Sequence, residues 1–275
     1  LFKIYENLEY AERLILDTLV ILLDLGNNQL TAEHIYNTFD KLGDIIRQFP
    51  YSEAAIATSL CDARCLNIET NSIDFVITSP PYINVFNYHQ NYRRSAELLG
   101  WDLLKIAKSE IGSNRANRRN RFLTVVQYCL DLALVLQEIQ RVCKPNARII
   151  LVVGYESNVL EVPFHNADII SELATRTNLF ELVLAQKRIF KNKFGKLIRE
   201  DILNLTSNSF SLSPPELDEI ARDIADRVLH KALSVVADKN KLALIEAIER
   251  VPYISKSPLY KHQTATNYQK KYTNG

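Results

Sequence analysis

Methionine is absent from these 275 residues, and glycine occurs only 7 times. Average usage would place several methionines in a chain this long, so a sequence that opens on Leu1 is expected to be a fragment or to have lost residues. Cysteine is also sparse. Cys61, Cys65, Cys129 and Cys143 fit neither a paired extracellular framework nor a C-x-x-C metal site, and the five histidines stand far from them, so core thiols are expected. No apolar run reaches the roughly 18 to 20 residues of a membrane span, and the N-terminus lacks the basic, apolar and small-residue succession of a signal peptide. These absences argue against a membrane partner and for a cytoplasmic protein. With 33 Lys and Arg against 32 Asp and Glu, no excess of one charge announces a polyanionic partner; a nucleic-acid surface would have to come from local clustering.

What is present is an ordinary globular composition, 47% hydrophobic and 24% charged, enough for a full core. Apolar residues from Ile4 to Leu23 follow a helical period that stops at Gly26-Asn27-Asn28. A second helix is predicted from Thr31, capped through Glu33 or His34, to about Gln48. The middle alternates strands and helices: Ile73 to Ile77 as a buried strand, Val125 to Ile139 as a helix, a turn at Lys144-Pro145-Asn146, and Arg148 to Val153 as a second strand. This pattern predicts a parallel sheet with crossover helices. Ile169 to Thr177 reads as helix and Phe180 to Phe190 as extended chain. Ser213-Pro214-Pro215-Glu216 carries the marks of a capping box with proline in the first turn, opening a long helix whose apolar face runs from Leu217 to Val236. From about Tyr260 the tail is polar.

Ligands of open parallel sheets collect at the carboxyl ends of the strands. Thr78-Ser79-Pro80-Pro81-Tyr82 stands at such an end. Two prolines fix the backbone direction and remove two amide donors, leaving a carbonyl-rich turn flanked by a hydroxyl and an aromatic ring. Such a turn suits an amino group whose lone pair is conjugated into an aromatic ring. Acceptors that bind its hydrogens, here the Ser79 hydroxyl and the Pro80 carbonyl, can pyramidalise the nitrogen and free its lone pair. A base in a duplex reaches them only when flipped out, and Tyr82 is placed to stack on it. The second Ser-Pro-Pro, at 213 to 215, has no strand before it and no aromatic after it, so a structural role is expected there.

The stretch Asp62-Ala63-Arg64, followed by Asn71 to Tyr82, Asn84 and Tyr88, resembles the amino-group DNA methyltransferases that modify cytosine N4 or adenine N6. Serine in the first place of the motif is closer to the cytosine-N4 enzymes. The resemblance spans roughly residues 55 to 205 and implies a Rossmann-like α/β fold with flanking helices, incomplete at the N-terminus, and a helical C-terminal extension. It implies S-adenosylmethionine as donor, with Asp62, Ala63, Thr78 and Ser79 at the cofactor, Asp62 ending a strand that approaches the adenine. It further implies Ser79, Pro80, Pro81 and Tyr82 as the catalytic motif, and double-stranded DNA with a flipped base as partner. The family's Phe-x-Gly-x-Gly loop is missing among the 7 glycines. It is expected from an upstream segment or a separate chain.

Asn114 to Arg121 holds four arginines, Arg115, Arg118, Arg119 and Arg121, and no acid. A solvated face usually interleaves acids, so contact with DNA is expected here, with Tyr88 as a further DNA contact. Gly154 after the second strand either borders the site or makes a plain turn. The expected organisation is a helical segment over 1–50, a methyltransferase core over 51–210, and a helical extension with polar tail over 211–275. The function expected is a restriction-modification type DNA methyltransferase acting on cytosine N4. Adenine N6, or a split, degenerate subunit that binds DNA without its own cofactor loop, are the alternatives.

Overall fold

The computed structural model describes residues 7–83, 90–112, 117, 119–209 and 212–260. They fall into two compact units, one within 1–60 and 88–107, the other within 61–87 and 108–261.

In the first unit α1 (Tyr10–Leu23) opens at Glu9, whose backbone N–H donates to Glu12 Oε2 at 2.9 Å, and closes on Asp24 in a left-handed conformation. Helix α2 (Ala32–Arg47) starts where the sequence predicts, with Thr31 Oγ1 accepting from His34 N at 3.1 Å. The short α3 (Arg93–Leu98) meets the end of α1 through Ser95 Oγ, which accepts from Leu25 N. Burial is thin here. Val20, Leu23 and Leu42 are enclosed, whereas Tyr10, Leu14, Tyr36 and Phe39 stand in solvent. Helix α4 (Leu103–Ser109) comes next along the chain.

The second unit is built on a four-stranded sheet in the order β1 (Ile73–Thr78), β2 (Cys143–Gly154), β6 (Leu197–Ser207), β5 (Phe180–Lys191). The α/β class expected from the sequence is what forms, but the sheet is mixed. Strands β1 and β2 pair in parallel, joined across α5 (Leu123–Val142), while β6 is antiparallel to β2 and pairs with β5 as a long hairpin. A hairpin connection reverses direction, whereas strands of like direction need a crossover: α5 supplies one from β1 to β2, the helix Asn166–Arg176 lies on another from β2 to β5, and β6 enters between β2 and β5 as the one antiparallel strand of the four. The strand before the Pro-Pro motif is not buried. Among the described residues β1 is an edge, with Phe75 49% and Ile77 66% exposed. Lys144-Pro145-Asn146 stays inside β2 as a bulge, where two steps on β1 (Ile73 to Phe75) oppose five on β2 (Cys143 to Arg148) and Asn146 adopts φ 63°.

One face of this sheet carries Ile149, Leu151, Val153, Leu203 and Leu205, all enclosed. Helix α5 lies against it and is buried almost all round, because α6 (Asn166–Arg176) and α7 (Pro214–Ala232) cover its other sides. Each fully buried Leu, Ile or Phe of this set contributes about 1.5–3 kcal/mol relative to exposure. A two-stranded hairpin of β3 (Glu156–Val159) and β4 (Val162–His165) joins β2 to α6. Ser213 and Glu216 form the predicted capping box, and Leu217, Ala221, Ile224, Ala225 and Leu229 of α7 enter the same core as α5. Leu244 and Ala247 of α8 (Asp238–Glu249) join them, as does Val251 of the 3-10 turn Val251–Tyr253. No helix among the described residues is long and apolar enough to cross a membrane, and no cluster of three metal-binding side chains occurs among them.

Candidate active-site turn

Strand β1 pairs with β2 up to Thr78 and Leu151, so Ser79 arrives beside Val152. The Ser79 hydroxyl donates to the Val152 carbonyl at 2.8 Å and is otherwise exposed. A hydroxyl has one hydrogen and two lone pairs. With its hydrogen spent on β2, Ser79 Oγ offers the solvent side only acceptor capacity, as an incoming N–H requires. Pro80 is buried and Pro81 half-buried, anchoring the turn.

Tyr82 is half-buried, and its ring lies against Gly154 at the end of β2. A Cβ on residue 154 would stand 2.7 Å from Tyr82 Cζ and 2.8 Å from Cε2, closer than real contacts allow. Any side chain at 154 would displace the Tyr82 ring, so this glycine borders the motif's aromatic residue. The next residue, Ile83, is fully enclosed.

Asn166 completes the arrangement, and nothing in the sequence singled it out. Wholly buried, it donates from Nδ2 to the Gly154 carbonyl at 3.0 Å, and its Oδ1 accepts from Ser157 Oγ at 3.0 Å and more loosely from Ile83 N at 3.5 Å. The side chain ties the end of β2, the β3 strand and the end of the motif together. An asparagine at a helix start reads as an ordinary cap; only the fold brings three segments to it. Nearby, Tyr155 and His165 stack edge to face at 5.0 Å, and Asp201 pairs with Val153, its carboxyl pushed up by burial against the pull of Lys187.

Asp62 and Ala63 do not end a strand: residues 51–62 form no regular structure. Asp62 belongs instead to a buried ion network centred on Arg64. Its Oδ1 accepts from Arg64 N and Nε at 3.0 and 2.9 Å, and its Oδ2 from Arg64 Nη2 and Tyr260 N at 2.7 and 2.8 Å. Arg64 Nη1 reaches Asp131 Oδ1 on α5 at 2.9 Å and the Ser257 carbonyl at 3.0 Å, while Nη2 also donates to the Ser109 and Pro258 carbonyls. Asp131 accepts further from Ser257 N and Oγ and from Gly112 N. Burial alone would raise the Asp62 carboxyl, but the donors from Arg64 and Tyr260 outweigh it and hold it below its ordinary value; burial likewise opposes the Arg64 charge, and Asp62 and Asp131 hold it. At Asp131 burial prevails and pushes the carboxyl up.

This bears directly on S-adenosylmethionine. All four acceptor positions of Asp62 are filled from within the chain, so it has none directed at a ribose, and no glycine pair in the sequence offers a cradle for a methionine moiety. The described residues do not by themselves fit the donor.

Tyr88, Arg115 and Arg118, and Asn84 of the motif, lie outside the described residues. Arg119 and Arg121 are exposed, as a phosphate contact requires, but Asn120 between them is buried, its amide donating to the Ala243 carbonyl at 2.6 Å. It locks the start of α5 to α8 and has no free edge for a base. Of the cysteines, Cys129 and Cys143 are core thiols, Cys129 pushed up to about 12 by burial; Cys61 and Cys65, expected in the core, are exposed on either side of the buried Arg64, whose side chain turns inward in their place.

No family model matches the chain, and no curated protein matches it. Among solved structures it overlaps a SAM-dependent methyltransferase of Methanosarcina mazei at TM-score 0.34 and 14% identity, over 66% of this chain and 80% of that one. It also overlaps a candidate DNA modification methylase of Thermus thermophilus, in two crystal structures, at TM-score 0.31 and 18% or 19% identity. The overlap covers 56% of this chain and 53% or 54% of the Thermus protein. Overlaps this partial leave the functional assignment to the chain's own residues.

Proposed function

We propose that this chain is the base-holding part of an S-adenosylmethionine-dependent DNA methyltransferase of the restriction-modification type, with cytosine N4 as the favoured acceptor and adenine N6 as the alternative. The observation that carries it is the state of the motif: Ser79 Oγ turned into an acceptor by donating to Val152, beside a tyrosine ring seated on Gly154. A target base leaves the duplex and stacks on Tyr82. Ser79 Oγ and the Pro80 carbonyl accept its two amino hydrogens, drawing the nitrogen out of conjugation and exposing its lone pair. Asn166 holds the segments on which the ring and the turn rest.

The donor would be held by a part bearing the glycine-rich loop, from an upstream segment or a separate chain. Strand β1 suits the addition of such a part by parallel pairing, since its outer edge has no partner among the described residues. The saturated Asp62 favours a second reading, in which the chain serves as a DNA-binding subunit that holds no donor itself.

Labelled methyl transfer to mixed DNA by the protein together with its donor-binding part, followed by identification of the nucleoside, tests the proposal. N4-methylcytosine is expected; N6-methyladenine would select the alternative, and label in RNA or protein instead of DNA would overturn the assignment. DNA binding with no transfer under any combination would leave the subunit reading.

A further inference from the structure

The β5–β6 hairpin runs past the end of its sheet. Gly154, the last residue of β2, pairs with Glu200, which pairs with Arg188; beyond them Ile189 pairs with Arg199, Phe190 with Ile198 and Lys191 with Leu197. At about 3.3 Å per residue the ladder extends roughly 10 Å beyond β2 before its turn. Because β1 runs parallel to β2, this is the end of the sheet at which Ser79 to Tyr82 lie.

That extension is strongly and singly charged. Lys191, Lys193, Lys196 and Arg199 fall within it, Lys187 and Arg188 lead into it, and no acid occurs from 187 to 199, in a chain whose net charge as a whole is only +1. Arg188 is paired with Glu200 at 3.4 Å and Lys187 stands opposite Asp201, whereas none of Lys191, Lys193, Lys196 and Arg199 makes an ion pair among the described residues. A hairpin that only faced water would be expected to interleave acids.

The tip is also built to hold its shape. Asn192 Oδ1 accepts from both Phe194 N and Lys196 N at 3.0 Å, Asn192 N donates to the Lys196 carbonyl at 2.9 Å, and Gly195 takes φ +76°. Phe194 is held outward, 80% exposed, with Lys193 Nζ 5.0 Å from its ring centre. An exposed aromatic flanked by unpaired lysines on a rigid turn matches a nucleic-acid contact, in which phosphates take the cations and the ring meets a base or sugar.

We propose that the tip of this hairpin is a phosphate-contacting arm that lies along the backbone of duplex DNA beside the base-holding turn. It rests on the DNA reading of that turn and adds a surface remote from the arginine cluster in sequence. The test is binding of a labelled mixed-sequence DNA duplex by the full chain across a salt series, comparing the native protein with K193Q/K196Q and with K231Q/K241Q, which removes two exposed lysines from α7 and α8. Each lost phosphate contact lowers the slope of log affinity against log salt by about 0.9. The hairpin variant is therefore expected to bind more weakly with a slope smaller by about 1.8, and the control to keep the native slope. A native slope in K193Q/K196Q, with the native protein still binding, would overturn the arm and leave the DNA reading standing. Failure of the native protein to bind duplex DNA would overturn both. Tighter binding of an RNA of matched length through the same lysines would overturn DNA as the partner.

Discussion

The chain contains Ser-Pro-Pro twice, and the two copies do different things. At 213 the serine faces its own helix: Ser213 and Glu216 close a capping box, Pro214 takes the first turn, and Leu217 starts the buried stripe of α7. At 79 the serine faces another strand: its hydroxyl donates to Val152, and the prolines lead to a ring lodged on Gly154. A tripeptide restricts the backbone. The residue after it, a helix-forming glutamate or an aromatic ring, determines whether that rigidity starts an element or displays a surface. The geometry of the first copy thus rests on β2 as much as on β1.

Breaking the first copy should have the largest effect. S79A is expected to abolish methyl transfer in the assembled enzyme, because an amino hydrogen loses its acceptor. Unfolding free energy should move by only about 0.5–1.5 kcal/mol, the worth of one exposed hydrogen bond; full activity would sink the mechanism.

R64A comes next and tests whether Asp62-Ala63-Arg64 is a structural element, distinct from the turn proposed to hold the base. It strands Asp62 and Asp131 as buried carboxylates, a change that typically costs about 3–5 kcal/mol, measurable by chemical denaturation. A small loss would show the network to be dispensable.

G154A attacks the second half of the comparison without touching the motif. With a Cβ 2.7 Å from Cζ the ring must move, and a displacement near 1 Å lowers transfer by about 100-fold. A native rate would separate Tyr82 from the reaction.

S213A should do the reverse of S79A. Loss of the cap lowers stability by about 0.5–2 kcal/mol while transfer per folded molecule stays unchanged.

The smallest effect is a pH dependence of the structural sites. Asp62 and Glu138, the latter held down by Arg141, have native values below their ordinary 3.8 and 4.5. Their contribution is present above those values and lost as pH falls through the lowered ones, whereas Asp131, raised by burial, works in the opposite sense. Urea titrations should therefore show stability falling below about pH 4, and less steeply in E138Q.

Much was legible in local chemistry. Thr31 and Ser213 cap where their hydroxyls predict, α5 and α7 follow apolar spacing, and Ser79 to Tyr82 end a strand. The features that were not legible depended on partners distant in sequence. The strand expected before Asp62 does not form. The same absence leaves β1 an exposed edge, although its composition reads as buried. Asn166 and the basic hairpin carry no local signal, because one looks like a cap and the other like a solvated turn until the fold and register set them at the end of the sheet that bears the motif.

The sequence alone therefore determined the caps, the helical stripes, the α/β alternation and the rigid turn with its hydroxyl and ring, since all of these arise from residues within a few positions of one another. Tertiary structure decided the rest. Pairing of β1 with β2 brings residues 73 apart in the chain into the Ser79 to Val152 hydrogen bond, turns a hydroxyl into an acceptor and makes a glycine the seat of a tyrosine. The Arg64 network likewise satisfies Asp62 from positions 2 and 198 residues away. Hydrogen bonds and close contacts across such separations have no local pattern to betray them, because their geometry exists only once the strands are in register.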